Sequence, residues 1–90
     1  MCGILGGQIV ENTTPKQIVK TLRKLLFTSA RRGKDAWGLT FLVKNDYKYS
    51  LKTFKSSQSI FKTFDKSEFH DFLYKNHNNQ NKIIYVLGHT

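Results

Sequence analysis

The stretch AWGLTFLVKNDYKYSLKTF, residues 36–54, decides the fold of this chain. It holds two apolar runs on either side of Asn45-Asp46, a pair of residues that favours tight turns. In the second run the apolar side chains occupy alternate positions, at Tyr47, Tyr49 and Leu51. Because side chains alternate between the two faces of a strand, the pattern predicts a β-hairpin in which these three residues pack and the polar residues between them face water.

The segment that precedes the hairpin has the pattern of an amphipathic helix. Thr14, Pro15 and Gln17 match a Thr-x-x-Gln capping box with proline in the first turn. The apolar residues that follow recur at helical spacing. They are Ile18, Val19, Leu22, Leu25 and Leu26. The basic residues lie largely off this face, which predicts a solvated basic surface, and Gly33 matches a C-terminal stop.

A second helical region is predicted after a serine-rich joint, with Asp65 or Ser67 as its cap. Its apolar residues are Ile60, Phe61, Phe64, Phe69, Phe72 and Leu73. Residues 75–82, KNHNNQNK, are polar and low in complexity, so we expect an exposed loop there.

Two further strands are predicted at the ends of the chain. Residues 2–10, CGILGGQIV, are rich in aliphatic side chains and glycine, which favours a buried strand at the centre of a sheet. Residues 83–88, IIYVLG, form an apolar strand that runs almost to Thr90, and we expect the functional protein to continue beyond this residue. The order of elements indicates a single domain of the α+β class.

Composition limits the classes of function. Ninety residues allow one small domain with a modest core. The formal net charge of +9 would suit a polyanion, but twelve of the fifteen basic residues are lysines scattered along the chain. Bidentate phosphate contacts and base readout favour arginine, so nucleic acid is not the expected partner. A small basic nucleic-acid-binding module remains an alternative.

Cysteine usage and hydropathy indicate the compartment. A single cysteine cannot form an intramolecular disulfide, and the chain shows no secretory signal. No apolar run approaches the roughly 20 residues that span a bilayer. We therefore expect a cytoplasmic protein with no membrane partner.

The only cysteine follows the initiator methionine, in the sequence MCGILGG. Removal of Met1 would leave a thiol and a free α-amine on Cys2. Such an amine is a weaker base than a lysine and accepts a proton near neutral pH, so Cys2 would carry a nucleophile and its base on one residue. The alternative is a small thiol that packs like an apolar side chain.

Two other stretches carry polar groups that could serve a site. Residues 31–38, RRGKDAWG, form a dense turn in which arginine, glycine and a carboxylate lie between a predicted helix and a predicted strand. Residues 88–90, GHT, end the last strand. Taken separately, the first is an ordinary polar turn and the second a histidine that packs or forms hydrogen bonds.

In order along the chain, MCGI, RRGKDAWG and GHT resemble the class II glutamine amidotransferase domain, a member of the N-terminal nucleophile hydrolases. The resemblance covers the whole chain. It implies a four-layer αββα sandwich of two antiparallel sheets, of which residues 1–90 would form the N-terminal portion, truncated at its C-terminal end.

The resemblance also implies site residues and partners. Cys2 would attack the side-chain amide of glutamine, form a thioester and release ammonia. Arg32 and Gly33 match the turn that orients the nucleophile, and His89 and Thr90 match the start of the glutamine-binding segment. An ammonia-accepting synthase domain or subunit would be the partner, and the chemistry requires no metal and no cofactor.

The chain departs from the family pattern at several points. Arg31 and Lys34 replace a histidine and a proline of the turn. The arginine expected after Thr90, the Asn-Gly pair of the oxyanion hole and the aspartate that holds the substrate amine have no counterpart here. Loss of one oxyanion donor typically lowers the rate by about 100- to 1,000-fold, so we expect these ninety residues to be inactive alone. An inactive amidotransferase-like domain is the second alternative.

Overall fold

The hairpin predicted from residues 36–54 is present in the computed structural model, which describes residues 3–30 and 36–90. It joins β2 (Trp37–Lys44) to β3 (Tyr49–Ser56), with Lys44 paired to Tyr49 beside the turn. The side-chain oxygen of Asn45 accepts hydrogen bonds from the backbone N–H groups of Tyr47 and Lys48, at 2.8 and 2.9 Å. The asparagine thus closes the turn that its position predicted.

The remaining elements complete an α+β domain with one four-stranded antiparallel sheet among the described residues. They are β1 (Ile4–Gln8), α1 (Pro15–Ala30), α2 (Ile60–Thr63), α3 (Ser67–Asn76) and β4 (Lys82–His89). The strand order is β1-β4-β2-β3.

The position of β1 in the sheet differs from the prediction. Among the described strands β1 pairs only with β4, and β4 lies between β1 and β2. β1 is therefore an edge strand instead of the central strand that its aliphatic and glycine content suggested. The prediction failed because aliphatic residues and glycine also suit an edge strand. β1 pairs with one strand, β4, and α1 covers one of its faces.

Helix α1 follows its sequence pattern closely. The predicted capping box is confirmed: Thr14 N–H donates to Gln17 Oε1 at 2.8 Å, and Gln17 N–H donates to Thr14 Oγ1 at 3.2 Å. The apolar residues at every fourth position, Ile18, Leu22 and Leu26, are buried, whereas Leu25, predicted on the same face, is 44% exposed. The three helix lysines are exposed, which confirms the solvated face. Gly33, the predicted stop, lies outside the described residues.

The second helical region is divided into two helices. Ser59 caps α2 through a hydrogen bond from Phe61 N–H to its hydroxyl. The N-cap of α3 is Lys66, without a side-chain cap, so the prediction of Asp65 or Ser67 as the cap is wrong. Ser67 is already the first residue of the helix, and Asp65 forms a salt bridge with Arg23 of α1.

The helices cover one face of the sheet, where an aromatic cluster forms the core. Phe41 stacks on Phe72 of α3, and Trp37 contacts Phe64 and Phe69. The Trp37 indole N–H donates to Thr63 Oγ1 at 2.7 Å, so this buried donor is satisfied. We call this side of the sheet the covered face. Its strand residues include Leu5, Leu39, Phe41, Val43, Phe54, Val86 and Gly88.

The other side of the sheet, the open face, contains no helix of the described chain. Directly paired residues share a face, and the pairing assigns to it Ile4, Gly6, Gly38, Thr40, Leu42, Leu51, Thr53, Tyr85, Leu87 and His89. Tyr49 and Leu51 belong to this side and are 61% and 71% exposed, while Tyr47 is exposed in the turn. The prediction that these three residues pack is therefore wrong.

The polar segment 75–82 is less exposed than predicted. Asn76 ends α3 and, like His77, it is buried. His77 Nδ1 accepts from Ile83 N–H at 3.0 Å, while Nε2 lies 2.6 Å from the carbonyl oxygen of Thr13. The imidazole thus connects the loop before α1 with the start of β4, which explains its burial within a hydrophilic run.

Candidate functional site

One end of the sheet brings together residues that are far apart in the sequence. Gly3 precedes β1, Gly38 belongs to the start of β2, and His89 ends β4 with Thr90 directly after it. Ser29, in the last turn of α1, approaches Gly3 from the covered face. Gly3 of MCGI, Gly38 of RRGKDAWG, and His89 and Thr90 of GHT therefore lie together at this end of the sheet.

Gly3 and Thr90 form two hydrogen bonds with each other. Gly3 N–H donates to Thr90 Oγ1 at 3.2 Å, and Thr90 N–H donates to the carbonyl oxygen of Gly3 at 2.9 Å. The second bond continues the β1–β4 ladder, whereas the first uses a side chain. Both backbone polar groups of Gly3 are thus held by one residue.

The absence of a side chain at Gly3 is required by its neighbours. A Cβ at this position would lie 2.8 Å from both Ser29 Cβ and Thr90 Oγ1, closer than a Cβ approaches non-bonded heavy atoms. Any other residue would displace either the end of α1 or the Thr90 hydroxyl. Gly3 is therefore the residue that allows three elements to meet.

Gly38 lies beneath His89, and its missing side chain leaves room for the imidazole. The two residues are paired across β2 and β4, and a Cβ on Gly38 would lie 2.8 Å from His89 Nε2 and 3.0 Å from the carbonyl oxygen of Phe54. The imidazole therefore lies over the glycine on the open face. His89 is exposed there, with Ile4 as its neighbour on β1.

The two predicted substrate-binding residues project from opposite faces. His89 belongs to the open face, whereas the Thr90 hydroxyl points to Gly3 and the end of α1. Consecutive residues of a strand alternate in this way. The structure brings both residues to the same strand end but gives their side chains different surroundings.

The predicted catalytic residues Cys2, Arg32 and Gly33 lie outside the described residues. Cys2 is bonded to Gly3, and residues 31–35 connect Ala30, the last residue of α1, with Ala36, which precedes β2. Gly3, Ala30 and Ala36, the described residues next to these positions, thus lie at or beside this end of the sheet.

Sequence reasoning missed the contributions of Ser29 and Gly38. Gly38 lies within the quoted stretch RRGKDAWG, so its position could have been noted, but its contact with His89 depends on strand pairing. Ser29 carried no signal, since a serine in the last turn of a helix is common.

The described cavities do not coincide with this site. One, of about 220 Å³, lies between β1 and α1 and is mainly apolar. Another, of about 390 Å³, lies between the end of β3 and the start of α3. Gly3, His89 and Thr90 line neither of these two cavities.

The described residues form no candidate metal centre. Within residues 3–30 and 36–90, no three side chains of His, Cys, Asp or Glu lie close enough together to hold a metal ion. None of the described helices is long and apolar enough to cross a membrane. The chain matches no known protein-family model and no curated protein sequence.

Proposed function

We propose that this chain is the N-terminal portion of a glutamine amidotransferase domain that hydrolyses the glutamine side-chain amide through Cys2. One observation carries the proposal: Gly3, Gly38, His89 and Thr90 meet at one strand end, joined by the hydrogen bonds between Gly3 and Thr90. The three stretches MCGI, RRGKDAWG and GHT, spread over ninety residues, thus have members in contact. Residues that form one site must lie close together, whereas three unrelated turns could lie anywhere in the fold.

In the proposed reaction the Cys2 thiol attacks the carboxamide carbon of glutamine. The α-amine of Cys2, free after removal of Met1, takes the thiol proton and then donates it to the departing nitrogen. A glutamyl thioester forms and ammonia leaves. Water activated by the same amine then hydrolyses the thioester, which yields glutamate and restores the thiol.

The other residues would orient these groups. Arg32 and Gly33 would hold the terminal residue in position, and His89 and Thr90 would begin the glutamine-binding segment. The released ammonia would pass to a synthase domain or subunit. An oxyanion hole and the groups that hold the α-carboxylate and α-amine of glutamine must come from residues outside this chain, so activity is expected of a longer polypeptide.

The open face of the sheet supports the four-layer αββα architecture as part of the proposal. Ile4, Leu51 and Leu87 are 79%, 71% and 54% exposed there, and Tyr85 adds further apolar surface. Monomeric proteins rarely leave such a patch in water. A second antiparallel sheet packed about 10 Å away would cover it, with the helices on the outside.

The proposal is tested on a longer protein that contains this domain and from which Met1 has been removed. We expect Cys2→Ser to abolish glutamine-dependent ammonia release, because a hydroxyl is a much weaker nucleophile than a thiolate. A diazo-ketone analogue of glutamine should label Cys2 in the wild-type protein only. Any synthase activity with added ammonia should persist, since free ammonia bypasses the first half-reaction.

Two results would contradict the proposal. Hydrolysis of glutamine by Cys2→Ser at the wild-type rate would exclude Cys2 as the nucleophile. A folded wild-type protein, free of Met1, that neither releases ammonia nor reacts with the analogue would identify an inactive amidotransferase-like domain.

A further inference from the structure

We infer that the outer edge of β1 binds an extended, acidic segment of a partner protein, which adds a strand to the sheet. β1 and β3 are the two edges of the sheet among the described strands. An exposed edge recognises an extended peptide through main-chain hydrogen bonds, and pockets for alternate side chains provide specificity. β1 offers both of these features.

The backbone groups available on this edge follow from the ladder between β1 and β4. Thr90 N–H donates to the carbonyl oxygen of Gly3, and Ile9 N–H donates to that of Ile84, at 2.9 and 3.0 Å. Both pairs continue the register of β1 with β4. Because hydrogen-bonded pairs alternate along an antiparallel ladder, the odd-numbered residues of β1 bond to β4 and the even-numbered ones direct their N–H and carbonyl groups outward. The outward-directed residues are Ile4, Gly6 and Gln8.

The two edges of the sheet differ in their protection against strand pairing. β3 carries Lys52 and Lys55, and Lys48 precedes it; all three are exposed. Lysines on an edge strand oppose pairing with another chain. β1 contains neither a charged residue nor proline, so it is the edge on which pairing is not opposed.

An apolar cavity lies beside this edge on the covered face. Gly7 shares that face with Leu5 and Ile9, and a Cβ on Gly7 would meet no other part of the described chain within 4 Å. The space above it belongs to the cavity of about 220 Å³, which Thr21 and Leu25 line from α1. Roughly 150 Å³ of apolar space is enough for a benzene-sized group, so this cavity accommodates one apolar side chain.

A strand paired with β1 would place one side chain at this cavity. Gly7 pairs with Val86 of β4 as one of the hydrogen-bonded residues, so on its other side an antiparallel strand would form a non-hydrogen-bonded pair with it. In such pairs the Cα atoms are about 4.5 Å apart, and the paired side chains share a face. A valine opposite Gly7 would therefore extend into the cavity, which favours a segment with aliphatic residues at alternate positions.

The charge beside the cavity specifies the partner further. Lys16, Lys20 and Lys24 form an exposed row along α1, and none of them forms a salt bridge with another described residue. Lys24 lies three positions after Thr21 of the cavity wall, so their side chains are neighbours on the helix. Carboxylates at the ends of a bound segment would approach this row. A second copy fits less well, because it would add its own lysines and the same net charge of +9.

The first experiment measures binding of a synthetic peptide to the ninety-residue chain by calorimetry. The probe has valine at three alternate positions, threonine between them and two glutamates at each end. Gly6→Pro should weaken binding at least about tenfold, because proline removes an outward N–H and its ring obstructs the added strand. The matched control Gly6→Ala keeps this N–H and should bind within about twofold of the wild type, since its methyl group lies on the open face.

Gly7→Val tests the cavity and keeps the outward backbone groups. Its side chain should occupy the space that the probe's valine needs and weaken binding by about tenfold, a typical effect of one lost contact in an apolar pocket. The melting temperature should not fall, because the new side chain fills a cavity, so unfolding would not explain weaker binding. A probe with lysines in place of its glutamates should also bind about tenfold more weakly at low salt.

Hydrogen exchange locates the bound probe. The amides of Ile4, Gly6 and Gln8 should exchange at least about tenfold more slowly when the probe is added. The amides of Leu5 and Gly7 bond to β4 and should be protected with or without it. This alternation is specific to pairing at the outer edge of β1.

Several results would overturn the inference: no binding of the probe, equal binding by Gly6→Pro and Gly6→Ala, or equal binding of the lysine and glutamate probes. Dimers of the wild-type chain in sedimentation, with the same three amides protected, would assign the edge to a second copy. Protection of these amides without the probe in a longer protein would assign it to that polypeptide's own strand, and either result overturns the choice of partner. No measurement uses glutamine, so this inference and the glutaminase proposal fail independently.

Discussion

The covered face of the sheet carries Leu39, Phe41 and Val43, none of them more than 4% exposed, whereas Leu51 and Leu87 on the open face are more than half exposed. The two sets belong to the same strands or their direct neighbours and are equally apolar. Their difference in burial arises mainly from the helices, which pack on one side, and Leu51 also belongs to the edge strand β3. The contribution of a leucine in this sheet to the free energy of unfolding therefore depends on whether other elements cover its side chain.

The comparison is tested most strongly by truncating one leucine on each face. Leu39→Ala should destabilise the domain by about 2–5 kcal/mol, because it removes buried apolar surface and leaves a cavity beneath the helices. Leu51→Ala should change the free energy of unfolding by no more than about 0.5 kcal/mol, since its side chain already contacts water. Urea unfolding of both variants, monitored by Trp37 fluorescence and circular dichroism, measures the difference.

The same two substitutions, Leu39→Ala and Leu51→Ala, also test the contrast between the faces in a longer protein that contains the whole domain. If a second sheet covers the open face, Leu51→Ala should there become as destabilising as Leu39→Ala, because both side chains would then lie in a core. An unchanged small effect of Leu51→Ala in a protein shown to contain the whole domain would contradict the four-layer arrangement.

Local patterns in the sequence predicted several elements correctly. The capping box of Thr14 and Gln17 and the turn at Asn45 depend on residues at most three positions apart, and both are present. Interactions of this kind are encoded within a few residues, so the helix and the hairpin could be placed without knowledge of the rest of the chain.

Features that depend on distant pairing could not be predicted in the same way. The alternation in β3 was recognised, but which face packs depends on the side that the helices occupy, and Leu51 falls on the other one. The burial of His77 depends on Thr13, 64 positions away. Likewise the order of motifs suggested a site, while the contact between Gly3 and Thr90 required the pairing of β1 with β4.

Adding a methyl group to a glycine on each face should have a smaller effect than truncating Leu39. Gly88→Ala places a Cβ 2.5 Å from Leu39 Cδ2 and 3.3 Å from Leu5 Cδ1 on the covered face, so those side chains must move. We expect a loss of about 1–3 kcal/mol, as is typical of overpacking. Thermal unfolding by calorimetry measures it.

Gly6→Ala is the matched control on the open face. Its Cβ would meet the nearest atoms, on Val86, Leu87 and Tyr85, at 3.4–3.5 Å, which is ordinary van der Waals contact. The melting temperature of this variant should stay near that of the wild type or rise slightly, because alanine loses less conformational entropy on folding than glycine. Equal destabilisation by Gly88→Ala and Gly6→Ala would indicate that the two faces are packed alike.

The smallest expected effect concerns a hydroxyl on the open face. Thr53 Oγ1 lies 2.9 Å from Thr40 Oγ1 across β2 and β3, and Thr53→Val would remove this hydrogen bond. Because the Thr40 hydroxyl can then bond to water, the loss should be no more than about 0.5 kcal/mol. Thr63→Val makes the same chemical change beside the covered face, where Trp37 Nε1 loses its acceptor.

Thr63→Val should be the more destabilising of the two, by about 1–3 kcal/mol, since the indole N–H remains buried without a partner. Both variants conserve side-chain volume, so packing is unchanged. Thr63→Val also removes the hydrogen bond that the Thr63 hydroxyl donates to the carbonyl oxygen of Ser59 at 2.9 Å, so the difference reports the loss of partially buried hydrogen bonds against the loss of one that water can replace. The measurement is the free energy of unfolding in urea with matched denaturant slopes. If Thr53→Val destabilised the domain as much as Thr63→Val, water would not reach the Thr40 hydroxyl, and the contrast between an open and a covered face would be wrong.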